Sequence, residues 1–339
     1  MLLTAVAAST GRASPLAAQT KLGDDVACAA CSIELVPLAT LGRLEDEATL
    51  RWTSPIVPRP GGGFVAGMLY DPGTLAAYDA AGRLVRVFSR EGDGPGELRT
   101  PGLFLHMAFV GDTPNALTRL RRTLFAGDDF AYVGSRPIIG SLHDASVLRD
   151  GAAVLAPQTP DHVLVVDPIG DLVRRAQVEP PGSGAFVVAP GRRGFWLVGR
   201  KGDLREYSAD GAPIRRLMAT LDRVQAAVAA ESDGQAYLNT IWEDDAGRLW
   251  TVILLWQPAA AERYDDLRQR NMNEVYPAVL RVYDLETGHL LAERHLERWA
   301  RFTGRDGTLH TTREDASGLI KAEMWRVELR GEPSRSTSR

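Results

Sequence analysis

The sequence contains only two cysteines, Cys28 and Cys31, in a C-x-x-C arrangement. Two thiols alone cannot complete a tetrahedral zinc site, and no paired histidines supply further ligands. A c-type haem is excluded because position 32 is serine rather than histidine, and the pair precedes a strand-like segment, unlike a thioredoxin-type redox pair. We predict a local disulfide formed in an oxidising compartment. A lipid anchor on Cys28 is disfavoured because Asp24 and Asp25 precede it.

Lysine is also scarce, since only three of the 39 basic residues are lysines, and the formal net charge is −4. A chain of this charge lacks the basic face that phosphate backbones require, so we expect no nucleic-acid partner. Codon bias in a GC-rich genome explains the excess of arginine. An arginine-based anion site is the functional alternative.

Long apolar runs are absent as well, because no stretch approaches the roughly 18 apolar residues of a membrane span. The N-terminus resembles a degraded secretion signal: residues 1–8 are apolar, and a small-residue segment at 14–19 places Ala18 before the expected cut. The fit is incomplete, since no basic residue precedes the apolar run. We therefore expect a signal-like, disordered segment at 1–30, a secreted or periplasmic location and no integral membrane span.

What the sequence does contain is a repeated phrase, an apolar strand followed by an Asp/Gly turn and a second apolar strand. Its four copies lie at 75–84, 163–172, 204–214 and 280–290. A second landmark, a glycine-containing turn that we expect to lead into the first strand of each unit, recurs at Gly63, Gly151, Gly194, Gly247 and Gly307. The first interval is about twice the second, which implies a degenerate unit at 101–150. Small antiparallel units that cannot bury their own faces must stack on one another.

Six such units predict an all-β fold, a six-bladed β-propeller, at 31–330, followed by a disordered tail at 331–339. The segment 32–41 is one strand too many before the first unit, and the last unit is one strand short. We therefore predict that the N-terminal strand closes the C-terminal blade. A parallel β-helix is the competing architecture, but its coils are shorter, near 20 residues, and do not need Asp/Gly turns at this spacing.

The segment Val87–Pro101 contains a glycine-rich turn, then an acidic residue and a proline. It resembles the inter-blade linker of six-bladed propellers of the NHL-repeat-like family, and the strand–Asp–x–x–Gly–strand phrases resemble the blades of the same family. The resemblance implies the propeller fold over nearly the whole chain after about residue 30. It implies no catalytic residue, because members of this superfamily range from binding modules to hydrolases and lyases.

The acidic residues and histidines offer no clear catalytic set. Aspartates recur at the turns, where a side chain that accepts backbone N–H groups explains them better than calcium does. They are Asp79, Asp150, Asp167, Asp210, Asp284 and Asp306. The six histidines show no metal-binding spacing, and we interpret them as single surface or packing residues, although a propeller could gather them on its axis. They are His106, His143, His162, His289, His295 and His310.

An insertion at 257–277 is the strongest candidate site in the sequence, because long loops on a rigid scaffold often carry function. Its apolar and amide residues at 264, 267, 271 and 275 share one face of a predicted short helix. We predict weak ligand contacts at the ends and on this face of the insertion, with packing anchors or a decorative surface helix as the alternative. These residues are Trp256, Arg263, Tyr264 and Tyr276.

The sequence as a whole predicts a secreted or periplasmic binding or interaction module rather than an enzyme, with no cofactor. Its partner is an unknown protein, peptide or small molecule at the mouth of the propeller channel, and the chain is expected to be a monomer. The alternative is a metal-dependent enzyme of the lactonase or lyase type on the same propeller. That alternative requires metal ligands that converge from several blades.

Overall fold

In the computed structural model, the repeated Asp/Gly phrase folds as a tight turn between two antiparallel strands. In the first copy, one carboxylate oxygen of Asp79 accepts the backbone N–H groups of Ala81 and Arg83, both at 2.9 Å. Gly82 follows with φ +76°, and a Cβ at this position would lie 2.3 Å from a backbone oxygen, so glycine is required. Asp284 accepts two N–H groups in the same way. The turn interpretation is confirmed for these aspartates.

The structure describes the following residues: 19–43, 46, 49–52, 54–67, 73–99, 105–110, 113–118, 121–137, 142–148, 152–157, 162–166, 172–181, 186–232, 234–263, 271–303 and 306–331. Asp150 and Asp167, which we predicted at turns, lie outside these residues. None of the described helices is both long and apolar enough to cross a membrane.

Two strands precede the first blade, and the first three blades follow in chain order, each built from four antiparallel strands. The preceding strands are β1 (Thr20–Leu22) and β2 (Ser32–Leu41). Blade one contains β3 (Ile56–Pro58), β4 (Phe64–Gly67), β5 (Leu75–Tyr78) and β6 (Leu84–Phe88). Blade two contains β7 (Leu105–Val110), β8 (Thr113–Thr118), β9 (Arg121–Ala126) and β10 (Ala131–Pro137). Blade three contains β11 (Leu142–Val147), β12 (Ala153–Pro157), β13 (His162–Val166) and β14 (Leu172–Gln177).

The described helices lie after blade four and within blade five. Blade four contains β15 (Phe186–Pro190), β16 (Gly194–Gly199), β17 (Asp203–Ser208) and β18 (Pro213–Ala219), and α1 (Asp222–Ser232) follows it. Blade five contains β19 (Gln235–Glu243), β20 (Arg248–Trp256), α2 (Pro258–Ala261), α3 (Met272–Val275), β21 (Ala278–Asp284) and β22 (Leu290–Leu296). Blade six contains β23 (Ala300–Thr303), β24 (Thr308–Glu314) and β25 (Ile320–Arg330).

The ring closes as the sequence predicted. Strand β2 pairs antiparallel with β25 and supplies the fourth strand of blade six. The first strand of each blade contacts the first strand of the next, and β23 contacts β3, so these six strands line the central channel. Pro37 and a register shift beside it lie on β2, which is an edge strand, where a missing N–H is tolerated. The six-bladed propeller prediction is therefore confirmed.

The N-terminal segment contains structure that the sequence did not predict. Strand β1 falls within the segment 1–30 that we expected to be disordered, and it pairs parallel with β18 as a fifth strand of blade four. Val26 then forms a bridge to Leu290 of blade five before β2 joins blade six. We call residues 20–41 the strap, because they connect the outer edges of three blades. Within the strap, Cys28 and Cys31 are joined by a disulfide.

One sequence prediction about the repeat needs correction. The described landmark glycines lie at or just before the second strand of their blades rather than the first, as Gly194 shows at the start of β16. The degenerate unit predicted at 101–150 is present as blade two, which has four paired strands. The inner strands contain no Asp/Gly phrase, so the repeat pattern could not reveal them.

Candidate functional site

The six inner strands enclose a cavity of about 440 Å³ on the axis of the propeller. Each blade contributes at least one apolar side chain to the wall, and these include Val57, Met107, Val147, Val187, Ile241 and Phe302. Mostly apolar walls with a few polar groups are typical of small-molecule sites, and this volume lies within their usual range. The cavity is therefore the candidate functional site.

A histidine–aspartate pair lies beside the cavity on blades two and three. His106 lines the cavity, and its Nε2 lies 2.7 Å from Oδ1 of Asp144. The other oxygen of Asp144 accepts the backbone N–H of Val188 in blade four at 2.6 Å. Burial alone would raise the pKa of Asp144. The charge and hydrogen bond of His106, the Val188 N–H and the charge of Arg301 together hold this pKa below its ordinary value. Asp144 thus fixes the orientation of His106.

Arg301 and His310 contribute the second polar group of the cavity, from blade six. They lie directly opposite each other on β23 and β24, so their side chains share one face of the sheet. Both side chains line the cavity. Blade six lies opposite blade three in a six-membered ring, so Arg301 and Asp144 interact electrostatically across the channel. Among the described residues, Arg301 has no carboxylate within the 4 Å of an ion pair.

His310 is held in its neutral form. Only 1% of the residue is exposed, and the edge of its ring packs against Trp299 with the ring centroids 5.2 Å apart. Burial and, secondarily, the positive charge of Arg301 lower the pKa of His310 to about 3. Its buried Nε2 has no hydrogen-bond partner among the described residues. A neutral imidazole with a free nitrogen is therefore available beside the Arg301 guanidinium.

The depressed pKa of His310 predicts how acid affects the fold. Between pH 6.5, the ordinary pKa of histidine, and about pH 3, this residue is protonated in the unfolded chain but stays neutral in the folded protein. Stability therefore falls as the pH decreases through this window, by up to about 1.4 kcal/mol per pH unit from this residue. Urea unfolding at pH 7, 6 and 5 measures the slope. His310→Gln should flatten it, and His289→Gln, at an exposed site, should not; equal slopes in both variants would contradict the assignment.

The described part of the insertion, 257–263 and 271–277, lies against the start of blade six and contributes no residue to the cavity wall. Nδ2 of Asn273 donates to the carbonyl of Thr312 at 2.7 Å, and its Oδ1 accepts the N–H of Trp299 at 2.9 Å. Trp299 in turn contacts His310. The described part of the insertion therefore braces the strands that hold Arg301 and His310.

Three of the four predicted ligand-contact residues lie away from the cavity. Trp256 and Tyr276 pack on the small core of the insertion, and Arg263 forms an exposed ion pair with Glu274 at 2.8 Å. None of these three residues lines the cavity. Tyr264 lies outside the described residues. The positions therefore support the packing alternative for Trp256 and Tyr276, while a ligand contact stays an untested prediction.

The predicted continuous helix is also wrong in its second half. Asn271 has an extended backbone, with φ −68° and ψ 101°, and its side chain caps α3 by accepting the N–H of Asn273. The local preference of asparagine for an N-cap overrides the helical spacing that the sequence suggested. The described insertion thus contains two one-turn helices, α2 and α3, instead of one face of a longer helix.

The residues that do line the cavity were missed from the sequence or predicted there only as an alternative. The alternative left open for the histidines, that the propeller gathers them on its axis, holds for His106 and His310, which both line the cavity. Asp144 and Arg301 carried no signal at all. Of the other histidines, His289 and His295 are exposed, and the side chain of His143 lies outside the described residues.

Across the described parts of the chain, no group of three or more His, Cys, Asp or Glu side chains is arranged to hold a metal ion.

Comparison with solved structures establishes a shared fold. A Bacteroides fragilis protein, whose description proposes that it is exported, is similar with a TM-score of 0.57 and 12% identity, over 91% of this chain and 99% of that protein. The WD40 domain of Neurospora crassa Pan2 is similar with a TM-score of 0.50 and 12% identity, over 86% of this chain and 94% of that domain. No protein-family model matches the sequence, and no curated protein sequence is similar to it. The NHL-repeat resemblance thus stays a prediction, while the β-propeller architecture is shared.

Proposed function

We propose that the chain is a binding module that holds a small molecule in its axial cavity. The observation that carries this proposal is the convergence of His106 from blade two and of Arg301 and His310 from blade six on one apolar-walled space. Polar groups placed in an otherwise apolar cavity provide orientation and specificity for a ligand. The fold shared with a WD40 domain supports a binding role. The fold alone does not imply any particular enzymatic reaction.

The module is proposed to work outside the cytoplasm. The disulfide between Cys28 and Cys31 supports this location, because such bonds persist in oxidising compartments. The signal-like N-terminal sequence and the description of the Bacteroides fragilis protein agree with it. We further propose that the chain acts as a monomer with no integral membrane span. Labelling of free thiols after extraction under alkylating conditions tests the location, since reduced cysteines in the native compartment would contradict it.

The alternative function, a metal-dependent enzyme, would require metal ligands in the same cavity. A lactonase or lyase of the metal-dependent type needs several ligands around an open coordination position. In the structure, both oxygens of Asp144 are already engaged, by His106 and by the Val188 N–H. Turnover of ester or lactone substrates by the purified protein, together with stoichiometric zinc or calcium, would favour the enzyme over the binding module.

A cavity-filling variant tests where the ligand sits. Ser146 lies on β11, is partly exposed and lines the cavity, so Ser146→Phe places a ring in the space a ligand would occupy. Thermal unfolding is measured with hexanoate, hexylamine, hexanol and hexyl phosphate as probes. At least one probe class should stabilise the wild-type protein, by mass action on the folded state, and Ser146→Phe should lose that stabilisation.

The matched control is Ser32→Phe, at an exposed position on the outer strand β2. This variant should respond to the probes like the wild-type protein. If no probe stabilises the wild-type protein, or if Ser146→Phe responds as strongly as the control, the axial cavity is not the binding site and the proposal fails.

A further inference from the structure

We infer that the ligand is a monocarboxylate with an apolar body, whose carboxylate binds Arg301 and whose apolar part fills the channel. This inference rests on the proposed binding function and names the chemistry of its ligand. It is built from the state of Arg301, the free nitrogen of His310, and the charge and walls of the cavity.

Among the described residues, Arg301 has no ion-pair partner, in contrast to the buried Arg205 and Arg281. Arg205 is 2.9 Å from a carboxylate oxygen of Asp203, and Arg281 is 2.6 Å from one of Glu293. The carboxylate of Asp144 interacts with Arg301 only at longer range, and burial lowers the pKa of Arg301 while that charge opposes the effect. A guanidinium stays protonated at physiological pH, and keeping it unpaired beside an apolar wall costs free energy. A ligand anion would supply the missing partner.

His310 provides a second, independent observation. It is almost fully buried, lines the same cavity and has no partner for Nε2 among the described residues. Because the imidazole is neutral, its Nε2 can carry a proton and donate it to an oxygen atom. A buried polar atom without a partner is unusual and costs about 1–3 kcal/mol. A carboxylate on Arg301 has a second oxygen to accept this hydrogen bond.

The charge balance favours one negative charge on the ligand rather than two. Of the two arginines on the wall, Arg59 already pairs with Asp128, which leaves the charge of Arg301 for the ligand. Two carboxylates, Asp306 on the wall and Asp144 across the channel from Arg301, disfavour a second negative charge. A planar carboxylate matches the fork of the guanidinium with two parallel hydrogen bonds. A phosphate monoester also matches the fork but brings further negative charge toward Asp144. The apolar walls at Val57, Ile241 and Phe302 suit an aliphatic or aromatic body.

The test compares hexanoate, hexanamide and hexyl phosphate by calorimetric titration. These probes share one chain and differ in the head group, so they separate a carboxylate from a neutral isostere and from a dianion. In the wild-type protein, hexanoate should bind at least about tenfold more tightly than either of the others, since charge-assisted hydrogen bonds are about twice as strong as neutral ones. Equal affinities for hexanoate and hexanamide would overturn the inference.

Two substitutions of Arg301 test whether this residue causes the preference for hexanoate. Arg301→Gln should abolish the preference for hexanoate over hexanamide, and Arg301→Lys should retain only part of it, because lysine keeps the charge without the fork. Arg326→Gln, on the exposed face of β25, is the matched control and should retain the full preference. A preference that survives in Arg301→Gln would contradict the assignment, and circular dichroism confirms that each variant is folded.

Different experimental results would contradict the monocarboxylate inference and the proposed binding function. If hexylamine or hexanol binds in the channel and is blocked by Ser146→Phe while hexanoate shows no preference, the binding module stands and the carboxylate assignment falls. If no probe binds in the channel, the binding proposal itself falls. If hexyl phosphate binds most tightly and needs Arg301, the site recognises a phosphate instead, and the monocarboxylate assignment is wrong.

Discussion

Deletion of residues 1–42 is expected to remove most of the folding stability of the propeller. Strand β2 buries Ile33 in the core between blades five and six and Leu41 in the core between blades six and one. Burial of such side chains contributes about 1.5–3 kcal/mol each, in addition to a ladder of hydrogen bonds with β25. The loss, about 5 kcal/mol or more, approaches the total stability of an ordinary domain.

A graded deletion series measures this effect by urea unfolding. Deletion of 1–31 keeps β2 but removes β1 and its pairing with β18, so we expect a smaller loss. Deletion of 332–339, in the tail predicted to be disordered, is the control and should change nothing. If the protein lacking 1–42 unfolds cooperatively at the wild-type urea concentration, β2 does not close the ring in solution.

Replacement of Arg281 by leucine is expected to destabilise the fold by about 3–5 kcal/mol, the usual cost of breaking a buried ion pair. Arg281 on β21 is fully buried and contacts carboxylate oxygens of Asp24 at 2.7 Å and Glu293 at 2.6 Å. It also donates to the backbone carbonyl of Thr220 at 2.8 Å. The variant would leave the partly buried Glu293 without its closest cation.

Three variants separate this effect from the loss of a surface charge. Arg326→Leu removes an exposed ion pair with Glu328 and should cost less than about 1 kcal/mol. Asp24→Asn and the double variant with Arg281→Leu complete a cycle that gives the coupling between the strap and blade five. If Arg281→Leu costs no more than Arg326→Leu, the buried network does not stabilise the native fold.

The fold could be predicted because its turns carry a strong local signal. An aspartate that accepts two backbone N–H groups, followed by a glycine with positive φ, fixes the turn at Asp79 and Asp284 whatever the rest of the chain does. These turns join the third and fourth strands of a blade, and the described landmark glycines lie at or just before the start of the second strand. Their spacing was therefore sufficient to count the blades and to show that one strand had to come from the N-terminus.

The site could not be predicted, because most of its residues come from inner strands without such signals, and the landmark Gly307 before the strand of His310 says nothing of a site. Inner strand β3 has only three residues, and the cavity residues His106 and Arg301 are nearly two hundred positions apart in the chain. Only ring closure brings blade six opposite blade three and sets Arg301 across the channel from Asp144. The arginine-based anion site considered from composition alone names the right residue type, but nothing in the sequence selects Arg301 from the other arginines.

The insertion shows the converse case, a conspicuous sequence feature whose described residues do not line the cavity. Its composition and length suggested a ligand-binding helix, yet its described residues pack on themselves and on blade six through Val275 and Asn273. The contact from Trp299 to His310 is its closest link to the cavity. The described residues of the insertion therefore support the polar end of blade six.

A crystal structure of the protein soaked with hexanoate tests the central claim most directly. We predict density for one hexanoate in the axial cavity, with its carboxylate oxygens about 2.7–2.9 Å from the guanidinium nitrogens of Arg301 and its chain between the apolar walls. A hexanoate bound only at the outer surface, with the cavity holding water alone, would contradict the assignment of the channel as an anion-binding site.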